Sequence, residues 1–169
     1  IVGAESSGKS TLAPTLAQRL AEETGLICTH VDEHLRTWCE HAGRTPRIDE
    51  QRAIAQTQQD RIAAAAATHD VVVADTTAAM IAVYSRFVFN DRSPDAWAAA
   101  EHARSVQHTL VTALDLPWVA DGLQRDGPQV RGPVDQALRQ LMQAQGVAYS
   151  VVRGEGPARL DHALQTVTP

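Results

Sequence analysis

The sequence predicts an α/β fold in which a parallel sheet is covered by helices on both faces. Segments with apolar residues at helical spacing alternate with short runs of β-branched residues, which is the pattern of strand–helix–strand units. One of these runs, residues 71–74, is Val-Val-Val-Ala. Such an uninterrupted apolar run is typical of a strand that is buried on both faces of a parallel sheet.

A glycine-rich segment at residues 3–11 is the most specific motif of the chain. Its sequence, Gly-Ala-Glu-Ser-Ser-Gly-Lys-Ser-Thr, fits the pattern G-x-x-x-x-G-K-S of the phosphate-binding loop. Glycines let the backbone approach an anion, and the free amides at the start of the following helix attract negative charge. The alternative is a plain turn before a helix, but every fixed position of the pattern is filled.

This loop predicts a site for a nucleoside triphosphate. Lys9 would reach the β- and γ-phosphates, and the Ser10 hydroxyl would bind Mg²⁺. The predicted nucleotide contacts within the loop are Gly3, Glu5, Ser6, Ser7, Gly8, Lys9, Ser10 and Thr11.

The first half of the chain supplies three of the predicted strands. Ile1 and Val2 represent only part of a first strand, because a strand usually has about five or six residues. Leucines that recur every four residues then predict a helix, with a local kink at Pro14 and a stop at Gly25. The second and third strands are predicted over 26–31 and 71–74, and the helices between them over 35–42 and 49–68.

The second half of the chain continues the alternation. Residues 78–89 favour a helix, because Met80, Ile81, Tyr84 and Phe87 recur on one face, which is predicted to be the inner one. Pro133 suits the first turn of a later helix. The remaining strands are predicted over 108–114 and 148–152, and the remaining helices over 95–106, 133–145 and 158–166. The chain is thus predicted to be a single domain, 1–169, with a five-stranded parallel sheet.

Three acidic residues follow predicted strands, where parallel sheets bind their ligands. Asp75 would hold Mg²⁺, since phosphoryl-transfer sites place such a carboxylate after a buried strand; its alternative role is to cap the next helix. Asp32 and Glu33 would bind substrate hydroxyls or accept the proton of an attacking alcohol, or else cap a helix. The sequence leaves open which of the three is the base. Arg36, one turn further on, would contact a phosphate or pair with a carboxylate.

A segment at residues 121–132 is predicted to form a lid. It contains Arg125, Arg131, three glycines and a proline, with few apolar residues. A mobile lid would bring arginines over the transferring phosphate, which requires cations. The alternative is an ordinary surface loop.

The bulk composition narrows the class of partner. The chain has 15 basic and 20 acidic residues, a net charge of −5, which argues against a nucleic-acid binder. No apolar run is long enough to span a bilayer. Cys28 and Cys39 form no C-x-x-C pattern, so we expect the protein to lie in a reducing cytoplasm. The partner that we expect is a small molecule.

Several motifs together resemble a known family. These are the loop continued to Leu12, Glu33 with Arg36, the pair Asp75-Thr76, and Pro-Trp-Val-Ala-Asp-Gly-Leu at 117–123. In this order they resemble the ribosylnicotinamide (nicotinamide riboside) kinase domain of the bacterial trifunctional NAD-biosynthesis regulator and its stand-alone relatives. The resemblance implies a three-layer P-loop NTPase fold similar to that of nucleoside and nucleoside-monophosphate kinases.

The resemblance also implies a reaction and a set of roles. The reaction is ATP-dependent phosphorylation of the ribose 5′-hydroxyl of nicotinamide riboside, with Mg²⁺, to give nicotinamide mononucleotide. The catalytic set would be Lys9, Glu33, Asp75 and Arg125. The substrate contacts would be Asp32, Glu33, Arg36, Asp75, Trp118 and Asp121. Arg125 and Arg131 would belong to the lid, and residues 154–157, Gly156 among them, would lie near the adenine.

The chain departs from the family pattern at three positions. His34 stands where an aromatic residue is usual, Gln124 where an arginine is usual, and Thr77 where an acidic residue is frequent. Two alternative functions therefore stay open. One is a kinase for another nucleoside or small alcohol, and the other is a nucleotide-binding regulator without an acceptor. The sequence does not fix the oligomeric state.

Overall fold

The computed structural model describes residues 1–120 and 127–168. The helices in these ranges are α1 (Lys9–Thr24), α2 (His34–Ala42), α3 (Gln51–Ala66), α4 (Ala78–Phe89), α5 (Asp95–Ser105), α6 (Arg131–Ala144) and α7 (Gly156–Val167). The strands are β1 (Cys28–Val31), β2 (Val71–Ala74), β3 (Leu110–Thr112) and β4 (Ser150–Val152). Short 3-10 turns at Ile48–Glu50 and Pro128–Val130 precede α3 and α6.

The strands form two parallel pairs with a dipeptide between them. β1 pairs with β2 with Cys28 opposite Val71, and β3 pairs with β4 with Leu110 opposite Ser150. On one side of the dipeptide, the Ile1 amino group donates to the Ala74 carbonyl (2.7 Å) and the Ile1 carbonyl accepts from the Thr76 amide (2.9 Å). On the other side, the Val2 amide donates to the Leu110 carbonyl (2.8 Å) and the Val2 carbonyl accepts from the Thr112 amide (3.0 Å).

The described sheet is smaller than the predicted one. We predicted five strands in one sheet, whereas the described residues form two sheets of two strands. The predicted strands 26–31, 108–114 and 148–152 are shortened, because their outer residues bond to the neighbouring segment without continuing the regular ladder. Ile27, for example, accepts from both the Asp70 and the Val71 amides. The coarser prediction, an α/β fold with parallel strand pairing, is confirmed.

Helices cover both faces of the strands, so the domain has three layers. Neighbouring strand residues point to opposite faces. Leu110 packs into a core with α1 and α7, whereas Val111 packs into a second core with α2 to α6. The loop that joins Val2 to α1 therefore lies where the two cores meet at the end of the strands.

Helix termination follows the signals in the sequence. α1 ends at Gly25, which has a φ of 72° and donates to the Ala21 carbonyl (2.9 Å), and α2 ends similarly at Gly43. α1 continues through Pro14 without losing its helical character. Within the described ranges, no helix is long and apolar enough to cross a membrane.

Candidate phosphate-binding site

Residues 3–8 form the turn that precedes α1. Gly3, Ser6 and Gly8 have positive φ angles of 155°, 54° and 81°. A β-carbon at Gly8 would lie 2.9 Å from Cδ1 of Leu116, so both the backbone angle and this contact favour glycine. Among the described residues, no side chain caps the start of α1. Its first amides are thus open to an anionic ligand.

A cavity of about 660 Å³ opens beside this turn. Its wall contains the loop residues 5–11, Glu33 and Arg36 from the start of α2, and Tyr84 from α4. The remaining wall residues are Cys39, Glu40, Leu116, Pro117, Val119, Ala120 and Glu155. The volume is in the range typical of small-molecule sites. The wall joins amides and charges of both signs, which suits a polar, phosphorylated ligand.

Two buried arginines hold carbonyl groups of the loop and do not line the cavity. Arg131, 8% exposed, donates from Nη2 to the Ser6 carbonyl (3.3 Å). Arg159, 3% exposed, donates from Nη1 to the Ser7 carbonyl. In a planar trans peptide the next N–H points opposite to the carbonyl. The amides of Ser7 and Gly8 therefore point away from the arginines.

Lys9 is the only lysine in the chain, which has 15 basic residues in all. Its side chain is buried, and Nζ donates to the Ala4 carbonyl (3.0 Å) at the other end of the loop. The same carbonyl accepts from Ser7 Oγ (2.6 Å), which also lies 2.6 Å from Thr112 Oγ1 at the end of β3. The ammonium group is thus held across the turn, at the cavity wall.

The segment 117–119 packs on the loop through two specific contacts. Trp118 Nε1 donates to Glu5 Oε1 (3.3 Å). Ser6 Oγ accepts from the Val119 amide (2.8 Å) and donates to the Val119 carbonyl (3.1 Å). Two of the motifs on which the resemblance rests are therefore in direct contact, Glu5-Ser6 with Trp118-Val119.

The carboxyl end of β2 carries two buried oxygens without partners among the described residues. These are Asp75 Oδ1 and Thr76 Oγ1, on side chains that are each 1% exposed. Thr76 has a φ of 79°, an unusual value for a β-branched residue. An unpaired buried carboxylate oxygen is an expected ligand for Mg²⁺, which prefers oxygen donors. The donor set thus fits the metal that the loop motif implies.

Asp32 and Glu33 differ in their surroundings although they are neighbours. Glu33 precedes α2 and lies on the cavity wall, without making a side-chain cap bond to the helix. The Asp32 side chain is 69% exposed, faces His30 Nε2 at 3.5 Å and does not line the cavity. Burial lowers the pKa of His34, with a smaller contribution from the charge of Arg61.

The structure brings most of the sequence-predicted residues to one cavity. Those on its wall are Glu5, Ser6, Ser7, Gly8, Lys9, Ser10, Thr11, Glu33 and Arg36. Those off the wall are Gly3, Asp32, Asp75, Trp118, Arg131 and Gly156. Asp121, Arg125 and the rest of 121–126, half of the predicted lid, lie outside the described residues, while 128–132 of that segment is helical.

Sequence reasoning missed two residues that shape the site, Arg159 and Gln58. Glu155, on the wall, belongs to the Gly-Glu-Gly-Pro turn at 154–157, which the resemblance placed near the adenine. Arg159 donates from Nε to the Gly154 carbonyl (2.7 Å) and forms an ion pair with Asp115. No short motif marks Arg159 or Gln58, since their partners other than Gly154 are distant in sequence.

Comparisons with known proteins agree with this geometry. A model of an AAA domain family matches residues 1–159. The chain belongs to this family. None of the curated proteins matches the chain. Among solved structures, the AAA-domain chain is similar to NadR protein in complex with NR, with a TM-score of 0.75 and 18% identity over 98% of this chain.

A second NadR structure, in complex with NAD and AMP-PNP, gives a TM-score of 0.77 and 18% identity, again over 98% of this chain. The AAA-domain chain spans 48% and 47% of these two NadR chains. At this identity the likeness concerns the fold. It confirms a P-loop NTPase-like α/β fold and the resemblance that the motifs predicted.

Proposed function

We propose that this AAA-domain chain is an ATP-dependent kinase that phosphorylates the 5′-hydroxyl of nicotinamide riboside. The observation that carries the proposal is one cavity wall shared by the phosphate loop and by Glu33, Arg36 and Tyr84. The loop offers a polyphosphate site, and the opposite wall offers room for an acceptor. NR and the ATP analogue AMP-PNP, which the two NadR structures contain, support this pair of substrates.

The proposed reaction is a direct transfer. The 5′-oxygen attacks the γ-phosphorus, the bond from γ-phosphorus to the β–γ bridging oxygen breaks, and ADP leaves. Glu33 takes the proton of the attacking hydroxyl, because this residue lines the cavity while the Asp32 side chain is largely exposed and does not. Lys9 and the loop amides neutralise the charge of the transferring group.

The proposal includes one metal ion. Ser10 and Asp75 would hold Mg²⁺, which neutralises phosphate charge when it is bound. Asp75 Oδ1 is buried without a partner among the described residues, and Ser10 lies on the cavity wall. Arg125, from the proposed lid, would add a cation over the phosphates. Arg131 would act indirectly, by holding the Ser6 carbonyl.

The finer features of fold and location belong to the same proposal. Ile1 and Val2 bond to β2 and β3, so they would be the central strand of a five-stranded sheet in a nucleoside-kinase-like domain. The enzyme would act in the cytoplasm.

The test is mass-spectrometric detection of phosphorylated products from a panel of nucleosides with Mg-ATP. We expect nicotinamide mononucleotide from nicotinamide riboside and no product without ATP. A product from a different nucleoside only would keep the kinase and change its acceptor. ATP binding without any phosphorylated product would favour a nucleotide-binding regulator.

Lys9→Ala is the control for the phosphate site. We expect its turnover to fall at least about a hundredfold, since it loses a cation aimed at the transferring phosphate. Circular dichroism should show a folded protein, because the Nζ bond to Ala4 is only one of several that hold the loop. Wild-type turnover in a folded Lys9→Ala protein would contradict the assigned site.

A further inference from the structure

Gln58 connects the two segments that carry the candidate acids. It lies on α3 with a 2% exposed side chain. Its Oε1 accepts a hydrogen bond from the backbone amide of His34 (2.7 Å), and His34 is the residue that follows Glu33. Its Nε2 lies 3.3 Å from the Thr76 carbonyl and 3.5 Å from the Asp75 carbonyl, and donates to both. One side chain thus spans the start of α2 and the end of β2.

The chemistry of these contacts requires an amide. The His34 N–H needs an acceptor, and the two carbonyls need a donor. A glutamine presents an acceptor and a donor on one terminal amide. The orientation of this amide is fixed, because the His34 N–H can only face Oε1. A buried apolar side chain of the same length would satisfy neither end, and each unpaired group would cost free energy.

The turn at Asp75-Thr76 needs an external hold. The φ of 79° at Thr76 is costly for a β-branched residue, and such conformations persist only where the surroundings fix them. Two hydrogen bonds hold Thr76 in this conformation. Its amide donates to the Ile1 carbonyl (2.9 Å), and its carbonyl accepts from Gln58 Nε2 (3.3 Å). The direction of the Asp75 carboxylate depends on this turn.

We propose that Gln58 is a positioning residue that fixes Glu33 and Asp75 relative to each other. The chemical roles of these two acids rest on the proposed kinase function, but the mechanical link does not. Without Gln58, the start of α2 and the Asp75-Thr76 turn stay joined only through the backbone, where the Asp75 amide donates to the Val31 carbonyl (2.8 Å), and the side-chain link between them is lost. A misplacement of about 1 Å in such a site costs about a hundredfold in rate.

Gln59 provides a matched control on the same helix. Its side chain is 4% exposed, so its burial is comparable. Its Oε1 accepts from the Ala78 amide (3.3 Å), and its Nε2 donates to Ser105 Oγ (3.1 Å) on α5. Gln59→Leu therefore removes a buried bridging amide without breaking the contacts to His34, Asp75 and Thr76.

The first measurement compares turnover and binding. We expect Gln58→Leu to lower kcat by about ten- to a hundredfold, with the Kd for AMP-PNP within about threefold of wild type. Gln59→Leu should lose similar thermal stability and keep kcat within about threefold. Should Gln58→Leu fail to fold, Gln58→Met keeps the side-chain length. Equal kcat losses in the Gln58 and Gln59 variants would overturn the positioning role.

The second measurement does not depend on activity. The Thr76 amide bonds to Ile1 and not to Gln58, so its hydrogen exchange reports the hold on the turn. We expect exchange at Thr76 at least about tenfold faster in Gln58→Leu than in Gln59→Leu. Unchanged exchange would overturn the link. If wild type phosphorylates no nucleoside, the proposed function fails, while this exchange result still decides the link.

Discussion

Asp32 and Glu33 show how one residue position changes the chemistry that a carboxylate can do. Glu33 lies on the wall of the cavity, whereas the Asp32 side chain is 69% exposed and lies off that wall. The sequence could not separate them, because both follow the same strand. Their different exposure follows from α2, which begins at His34 and directs the two side chains differently.

Glu33→Gln is expected to lower kcat by about a hundredfold or more, since the general base is lost. The affinity for ATP should stay near that of wild type, because no phosphate contact is removed. Steady-state kinetics and calorimetry with AMP-PNP measure the two quantities. Asp32→Asn is the matched control and should retain its turnover. An unchanged kcat in Glu33→Gln would remove Glu33 from the chemistry.

His102 is a buried titratable residue that affects acid stability. It is 1% exposed, and its Nδ1 and Nε2 lie 2.9 Å and 2.8 Å from the hydroxyls of Thr77 and Thr109. Burial lowers the pKa of His102 from 6.5 to about 4. The unfolded chain therefore binds a proton at a higher pH than the folded protein does.

Stability should consequently fall as the pH drops from about 6.5 towards 4, by about 2–3 kcal/mol from this residue. Urea unfolding at pH 7 and pH 4.5 measures the loss. In His102→Gln the loss between these two pH values should be smaller by that amount. His108→Gln, an exposed histidine six residues away, should behave as wild type. Identical losses in wild type and His102→Gln would contradict the role of His102.

At the scale of elements, α7 supports the phosphate loop through one side chain. Arg159 bonds to the carbonyls of Ser7 and Gly154 and pairs with Asp115, which also accepts from the Gly154 amide (2.8 Å). The loop before α1, the segment after β3 and the turn before α7 therefore all bond to one guanidinium group. Its loss would release the peptide between Ser7 and Gly8.

Arg159→Met is expected to weaken AMP-PNP binding by about tenfold or more and to cost about 2–4 kcal/mol of stability. The first effect follows from the freed loop carbonyl, and the second from buried groups left unpaired. Calorimetry and urea unfolding measure them. Arg153→Met, at an exposed position of the same turn, should change neither. Nucleotide affinity equal to that of Arg153→Met would show that the loop does not need this support.

The elements also show what local sequence can predict. Gly25 and Gly43 end α1 and α2 as expected, because the left-handed backbone conformation that terminates a helix requires only one suitable residue. Pro14 did not end α1, because buried Leu12, Leu16 and Leu20 pack the helix on both sides of it. Several strands were predicted too long. A strand ends where its pairing with a neighbouring strand ends, and that neighbour is distant in the sequence.

For the whole molecule, the sequence predicted the components of the site better than the connections between them. The residues of the phosphate loop were predicted because they form one contiguous motif. Gln58 and Arg159 were not, because all their partners except Gly154 are 17 to 152 residues away in the chain. Both side chains are buried and polar, and composition alone does not show which buried polar groups meet.

The whole domain should respond to both proposed substrates. Ile1-Val2, the phosphate loop and the β2 turn are joined by hydrogen bonds, so a ligand on the loop stabilises the folded state as a unit. A ligand at one hundred times its Kd adds about 2.7 kcal/mol, which corresponds to a rise in Tm of about 5–11 °C for a domain of this size.

We therefore expect AMP-PNP with Mg²⁺, at one hundred times its Kd, to raise Tm by about 5–11 °C. Nicotinamide riboside, added next at one hundred times its own Kd, should raise Tm by a similar further amount. Differential scanning fluorimetry with stepwise addition measures both. Lys9→Ala should show a smaller first step, because the ammonium group no longer contacts phosphate. A first step without a second for any nucleoside would argue against an acceptor pocket, since a ligand that binds the folded state must stabilise it.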